Sequence, residues 1–199
     1  MKRTRIHLIR HGEVEGHEEK RYNGQADVSV TPKGNAQLGM LQLRMQKLPI
    51  SAVYSSDLGR CLDGARILAA GYGLETVTEK NLRELDAGEW ERLTWDEIQK
   101  KYPKEWQARL KDIVNVPMPG GENLNDLAGR VRPVIKKIVK KYMGEEVIVV
   151  AHGGVNRVIL LDAIGAPLES LFAIEQDFGC LNSIDYYEDG NSVVRLLNG

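Results

Sequence analysis

Three short apolar runs, Ile6–Ile9, Ala52–Tyr54 and Val147–Ala151, each pass straight into polar residues, and this pattern limits the possible folds more than any other feature. Near-continuous apolar runs suit strands covered on both faces, since a strand open to water on one side would show a polar residue at every second position. Helix signatures fill the intervals. Thr31-Pro32 supplies an N-cap and a first-turn proline ahead of Leu38, Leu41, Met45 and Leu48. Leu58, Cys61, Leu62, Ala65, Leu68, Ala69 and Tyr72 make a second stripe at helical spacing. A third runs through Leu124, Leu127, Ala128, Val131, Val134, Ile135, Ile138, Val139 and Tyr142. It opens at Asn123 as N-cap with Asp126 in the first turn, and Pro133 predicts a kink in it. Strands alternating with helices of this length predict a three-layer α/β/α fold around a mainly parallel sheet. Ser183–Tyr187 and Ser192–Leu197 flank Glu188-Asp189-Gly190-Asn191, a hairpin signature that adds an antiparallel edge.

A length of 199 residues fits one domain spanning positions 1–199. Thr94 to about Leu110 carries Trp95, Ile98, Tyr102 and Trp106 in an amphipathic pattern broken by Pro103, which predicts a helical flap at about 93–117. Trp95 and Trp106 are expected to fill a satellite core there, the other option being that they wall a bound ligand. No apolar run approaches the roughly 20 residues of a membrane span, and the N-terminal apolar segment is too brief for a signal peptide. No membrane partner and a cytoplasmic location are therefore expected. Two cysteines, Cys61 and Cys180, exclude a disulfide framework and read as buried thiols. The net charge of -1 offers no general attraction to nucleic acid, and Lys136, Lys137, Lys140 and Lys141 read as the solvated face of the third helix. Monomer and homodimer are both compatible with the sequence.

If the three strands run parallel, their carboxyl ends share one edge of the sheet, where open α/β folds place ligands. Arg10-His11-Gly12-Glu13 follows the first strand, Ser55-Ser56-Asp57 leads from the second to Arg60, and His152-Gly153-Gly154 follows the third. A lone histidine at a strand end is usually a hydrogen-bonded core residue, and a lone arginine half of an ion pair. Here two of the chain's four histidines occupy equivalent ends of separate strands, each followed by a glycine that lets another group approach the backbone. That convergence suits phosphoryl transfer. Guanidinium groups match phosphate oxygens bidentately, and neutral imidazole is a nucleophile available near neutral pH. Arg10 and Arg60 would disfavour the imidazolium form of His11 and so keep it reactive. The helix start between Ser56 and Arg60 is expected to add backbone donors for the same oxygens. Fixed cations would then replace a metal ion, with positioning and electrostatics supplying the catalysis.

Other chemistries lack their signatures. No Gly-Lys pair precedes Ser or Thr, Gly71-Tyr72-Gly73 lacks the third glycine of a dinucleotide fingerprint, and neither Gly-x-Ser-x-Gly nor His-Glu-x-x-His occurs. No cofactor and no metal site are expected, and the partner is a small phosphate ester.

Leu8-Ile9-Arg10-His11-Gly12-Glu13 resembles the signature of the histidine phosphatase superfamily, also called the phosphoglycerate mutase-like family. Further similar stretches follow in family order: Gly24 to Asp27 with Thr31 and Gly34, Ser55-Ser56-Asp57-Leu58 with Arg60, Leu82-Arg83-Glu84 with Gly88 and Trp90-Glu91, Pro119-Gly120-Gly121-Glu122, and Ala151-His152-Gly153-Gly154. The resemblance implies that His11 is phosphorylated, that Arg10 and Arg60 bind the phosphoryl oxygens, and that His152 completes the pocket and stabilises the transition state. Glu84 is similar to the family's general acid, with Asp86, Glu89 and Glu13 as competitors for the role. Gly153 and His17 are expected at the phosphate. His17 stands where the family usually has an asparagine, and a histidine there could still donate a hydrogen bond. Val14, Gly64 and Arg92 also depart from the family pattern.

The same pocket serves phosphatases and mutases, and mutases are typically longer, with segments that enclose the substrate. The compact chain therefore reads as a phosphomonoester hydrolase, similar to α-ribazole phosphatases and broad-specificity phosphatases. Phosphoglycerate mutase-type transfer and a non-catalytic phosphate-binding module are the alternatives.

Overall fold

The computed structural model describes residues 1–199. In chain order its main elements are β1 (Arg3–Arg10), α1 (Pro32–Met45), β2 (Ile50–Ser55), α2 (Gly59–Ala70), β3 (Thr76–Thr78), α3 (Trp95–Lys101), α4 (Pro103–Lys111), α5 (Leu124–Lys141), β4 (Glu146–Ala151), α6 (Gly153–Ile164), β5 (Leu181–Tyr187) and β6 (Ser192–Leu196). The six strands form one sheet in the order β3-β2-β4-β1-β5-β6. β1 and β4 pair in parallel from Arg5↔Glu146 to Arg10↔Ala151, and β2 lies parallel to β4 on the other side. β5 and β6 run antiparallel and close one edge, as the hairpin signature predicts. β3 was not expected. Its three residues, Thr76-Val77-Thr78, add a short parallel edge strand beside β2.

The apolar runs are continuous because both faces of the sheet are covered. Ile6, Leu8, Val147, Val149 and Ala151 point to α5 and α6, whereas Ile9, Ile148 and Val150 point to α1 and α2. Successive side chains alternate between two helical layers, so β4 is apolar at every position from Val147 to Ala151. The caps form where the sequence placed them. Thr31 Oγ1 accepts from the Gly34 N–H, and Asn123 and Asp126 exchange side chain and backbone in a capping box. α5 runs on through Pro133, with Leu127, Val131, Val134, Ile135 and Ile138 buried and Lys136, Lys137, Lys140 and Lys141 exposed. Both cysteines are buried free thiols. No helix is long and apolar enough to cross a membrane.

Pro103 does not merely interrupt a helix; it starts a new one, because a proline in the first turn gives up no hydrogen bond. α3 and α4 therefore meet at Tyr102 and pack over a third, smaller core of Ala87, Trp90, Ile98 and Met118. Trp106 joins that core against Trp90, with ring centroids 5.8 Å apart. Trp95 does not, and stays 44% exposed at the mouth of a cavity.

One backbone contact fixes where β1 ends. A Cβ on Gly12 would lie 2.3 Å from the Gly34 carbonyl oxygen, and one on Gly34 would lie 2.3 Å from the Glu13 carbonyl oxygen. Only two glycines allow the exit from β1 to rest directly on the start of α1.

Candidate active site

The carboxyl ends of β1, β2 and β4 share one edge of the sheet, and His11, Ser56 and His152 follow them directly. The His11 N–H continues the ladder to the Ala151 carbonyl at 3.1 Å, so the residue is held as firmly as the strand it leaves. His11 Nδ1 lies 2.9 Å from the Gly12 carbonyl oxygen. A carbonyl only accepts, so the proton sits on Nδ1 and the lone pair on Nε2. Burial, then Arg60 and Arg10, push the pKa of this ring well below 6.5. The imidazole is therefore neutral at neutral pH.

His152 stands 5.3 Å from His11, centroid to centroid, in an edge-on arrangement. It has no exposed surface, and its Nε2 is 2.9 Å from Ser56 Oγ and 3.3 Å from Cys61 Sγ. Burial first, then Arg60, His11 and Arg10, also push its pKa well below 6.5. Burial drives the Cys61 thiol far up, so it packs as an uncharged group.

Arg10 and Arg60 flank the two rings and are both held by backbone carbonyls. Arg10 Nη1 donates to Gln176 O at 2.5 Å, and its guanidinium carbon lies 3.9 Å above the Phe178 ring. Arg60, 2% exposed, donates from Nη1 to Ala26 O at 2.8 Å and from Nη2 to Gly24 O at 2.6 Å. Carbonyls orient a guanidinium without cancelling its charge, so both cations stay available to an anion.

A cavity of about 590 Å³ opens over this floor. Arg10, His11, His17, Arg60, Glu84 and Gly153 all line it, and His152 does not: it backs His11 from below the wall. Glu84 Oε2 accepts from the Gly154 N–H at 3.0 Å and Oε1 from the Leu85 N–H at 2.9 Å. Arg130 of α5 clamps the segment before it, donating to the carbonyls of Asn81, Arg83 and Glu84 and pairing with Glu122 at 2.7 Å. The competing carboxylates are engaged elsewhere. Glu13 pairs with Lys33 at 2.7 Å, Asp86 caps the Gly88 N–H at 2.9 Å, and Glu89 accepts from the Tyr102 hydroxyl at 2.8 Å. His17 stands at the rim, edge-on to Phe178, with Nε2 3.5 Å from Glu13.

One expectation needs correction. The helix N-terminus in the wall belongs to α6, through Gly153 and Gly154; α2 contributes only Arg60, and the Ser56 and Leu58 N–H groups are bound to Val150 O and Ser56 Oγ.

The structure adds residues that the motifs did not mark. Both phenylalanines of the chain, Phe172 and Phe178, line the cavity from the stretch between α6 and β5. Two large apolar side chains in a segment without strand or helix pattern were the available signal. Arg157, one helical turn beyond Gly153, donates to Ile174 O at 2.7 Å and lines the same wall. Tyr22 and the buried Arg109 complete it opposite.

A profile of the histidine phosphatase superfamily (branch 1) matches residues 6–199. The chain belongs to the histidine phosphatase superfamily. A bifunctional protein of Mycobacterium tuberculosis is 35% identical over 196 residues, 98% of this chain and 54% of that protein, so the chain spans about half the length of the curated relatives it matches there. Phosphoserine phosphatase 1 of Hydrogenobacter thermophilus is 27% identical over 98% of this chain and 92% of its own. The crystal structure of the α-ribazole phosphatase of Shigella flexneri superposes with a TM-score of 0.91 at 26% identity, covering 98% of this chain and 96% of that one. These likenesses agree with the architecture found here, a mostly parallel sheet with an antiparallel edge between two helical layers.

Proposed function

We propose that this member of the superfamily is a phosphomonoester hydrolase that works through a phosphohistidine in a single domain. The observation that carries the reading is the state of His11: neutral, protonated on Nδ1, and set beside two guanidinium groups with no direct ion-pair partner. In the first step Nε2 attacks the phosphorus of the ester and the bond from phosphorus to the ester oxygen breaks. Glu84, as the acid, gives its proton to the departing oxygen. Arg10 and Arg60 hold the non-bridging oxygens with the Gly153 N–H as a further donor, His17 stands at the rim, and His152 backs the reacting ring of His11 from below the wall. In the second step Glu84 takes a proton from water, the water oxygen attacks phosphorus, and the bond to Nε2 breaks to release inorganic phosphate. The cations needed for transfer are side chains, so no metal is required.

The substrate is a small phosphorylated metabolite. The α-ribazole 5′-phosphate class is supported by the likeness to the Shigella enzyme and by the exposed Trp95 at the cavity mouth, a surface on which a heteroaromatic leaving group would stack. The deciding experiment incubates the protein with α-ribazole phosphate, phosphoserine, phosphoglycerates, nucleotides and p-nitrophenyl phosphate in the presence of a chelator. Phosphate release and an acid-labile label on His11 are expected. Isomerisation of phosphoglycerate without release would transfer the site to a mutase, and binding of phosphate without turnover of any ester would make it a binding module.

A further inference from the structure

Glu91 lies outside the cavity, yet its carboxylate is committed to the loop that holds Arg60. Oε1 accepts from the Gln25 N–H at 2.8 Å and the Ala87 N–H at 3.1 Å, and Oε2 accepts from the Ala26 N–H at 2.8 Å. No cation pairs with it. The Gln25 N–H and the Gly24 carbonyl belong to one peptide unit, and that carbonyl is the acceptor of Arg60 Nη2 at 2.6 Å. Carboxylate, peptide and guanidinium thus form a line: the anion binds the N–H end of the peptide and the cation binds the C=O end. Each bond polarises the amide in the sense that strengthens the other.

We propose that Glu91 is the positioning residue for Arg60, acting as its counter-ion through the Gly24–Gln25 peptide. A carboxylate placed directly on Arg60 would occupy the donors a phosphoryl group needs and cancel much of the charge. A guanidinium with 2% exposure and no anion at all would carry a desolvation cost with little return. The interposed peptide meets both demands, because the anion fixes the guanidinium while leaving its remaining N–H groups free. Gly24 makes the approach possible: it has φ +44, and a Cβ there would lie 2.0 Å from Glu91 Oε1. The bond to Ala87 N–H ties the same carboxylate to the segment that follows Glu84, and Gln25 reinforces this with its side-chain amide on Glu84 O at 3.3 Å. One charge thereby sets the distance between the phosphoryl-binding cation and the acid.

The proposal rests on the phosphatase reading, so binding is measured apart from turnover. Glu91→Gln keeps the shape but puts an NH2 where a carboxylate oxygen accepted. It should weaken both orthovanadate inhibition and calorimetric binding of inorganic phosphate by about tenfold or more, with kcat/KM falling in step. A structural defect alone would lower the active fraction and leave those constants unchanged. In an Arg60→Ala background the same substitution should cost less than about twofold, since its route has been removed. In the unmutated protein, the Gln25 and Ala26 amides should exchange slowly and become slower with saturating phosphate, a result that needs no variant to fold. Equal losses in both backgrounds, or amides indifferent to phosphate, would overturn the proposal. If the unmutated protein hydrolysed no ester, the phosphatase reading would fail while phosphate binding still tested the relay.

Discussion

The floor of the cavity hangs from the sheet, whereas its outer wall rests on loops and two short helices. His11 and His152 are extensions of central strands, and Arg10 and Arg60 are tied to backbone carbonyls. Across the cavity, Trp95 is 44% and Phe172 72% exposed, and neither extends a strand of the central sheet. Atoms that must meet phosphorus within a few tenths of an ångström belong on the rigid element. Groups that must accommodate a leaving alcohol can sit where sequence and shape vary freely.

The largest expected effect tests the floor. His11→Ala should reduce turnover of every ester by about 10⁴-fold or more and remove the covalent label, as judged by steady-state rates and mass spectrometry of samples quenched in alkali. Turnover retained on p-nitrophenyl phosphate would mean that the nucleophile lies elsewhere. Glu84→Gln should then separate substrates. Alkyl esters, whose leaving oxygen needs a proton, should slow by about 10²-fold or more, and p-nitrophenyl phosphate by about tenfold or less. Equal losses would remove Glu84 from the acid role.

The pH profile follows in size. Burial and the neighbouring guanidinium groups hold His11 and His152 below 6.5, so the nucleophile should stay neutral, and kcat/KM level, as pH falls through 6.5. Activity is lost only on passing the lower folded pKa. Stability behaves with the same sign: between 6.5 and that lower value the unfolded chain binds protons that the folded chain refuses, so stability should decline as pH drops below 6.5. A urea series at stepped pH would register the decline, and a flat series would contradict the buried neutral rings. The smallest effect belongs to the wall. Trp95→Ala should raise KM for a nucleoside-like ester by about two- to tenfold and change p-nitrophenyl phosphate turnover less, since one aromatic contact contributes about 0.5–1.5 kcal/mol. A larger effect on kcat than on KM would join Trp95 to the floor.

The same division decided what the sequence revealed. The floor was legible because strands buried on both faces leave a continuous apolar run, and a histidine at the end of such a run can only stand at the sheet edge. The hairpin of β5 and β6 was legible from Asp189-Gly190-Asn191 between alternating strands. β3 was not, because three residues with two exposed carry no periodicity. The wall was legible only in part. Trp95 and Trp106 share one amphipathic pattern, yet one faces the cavity and the other a core, a choice made by where Pro103 restarts the helix. Phe178 owes its place over Arg10 to a path between α6 and β5 that no local propensity sets. The misplaced helix N-terminus arose similarly: Ser56 to Arg60 and His152 to Gly154 look alike as strand-to-helix turns, and local sequence does not say which of the two lines the cavity.

Gly34 touches nothing in the cavity, yet its backbone bears on Gly12, the residue whose carbonyl holds the reactive ring. A single methyl group added there would have to displace either the first turn of α1 or the nucleophile itself. A scan for tolerated substitutions should thus find an inactivating position on the outer helical layer, remote in sequence from every charged group of the site and silent in any inventory of ligand contacts.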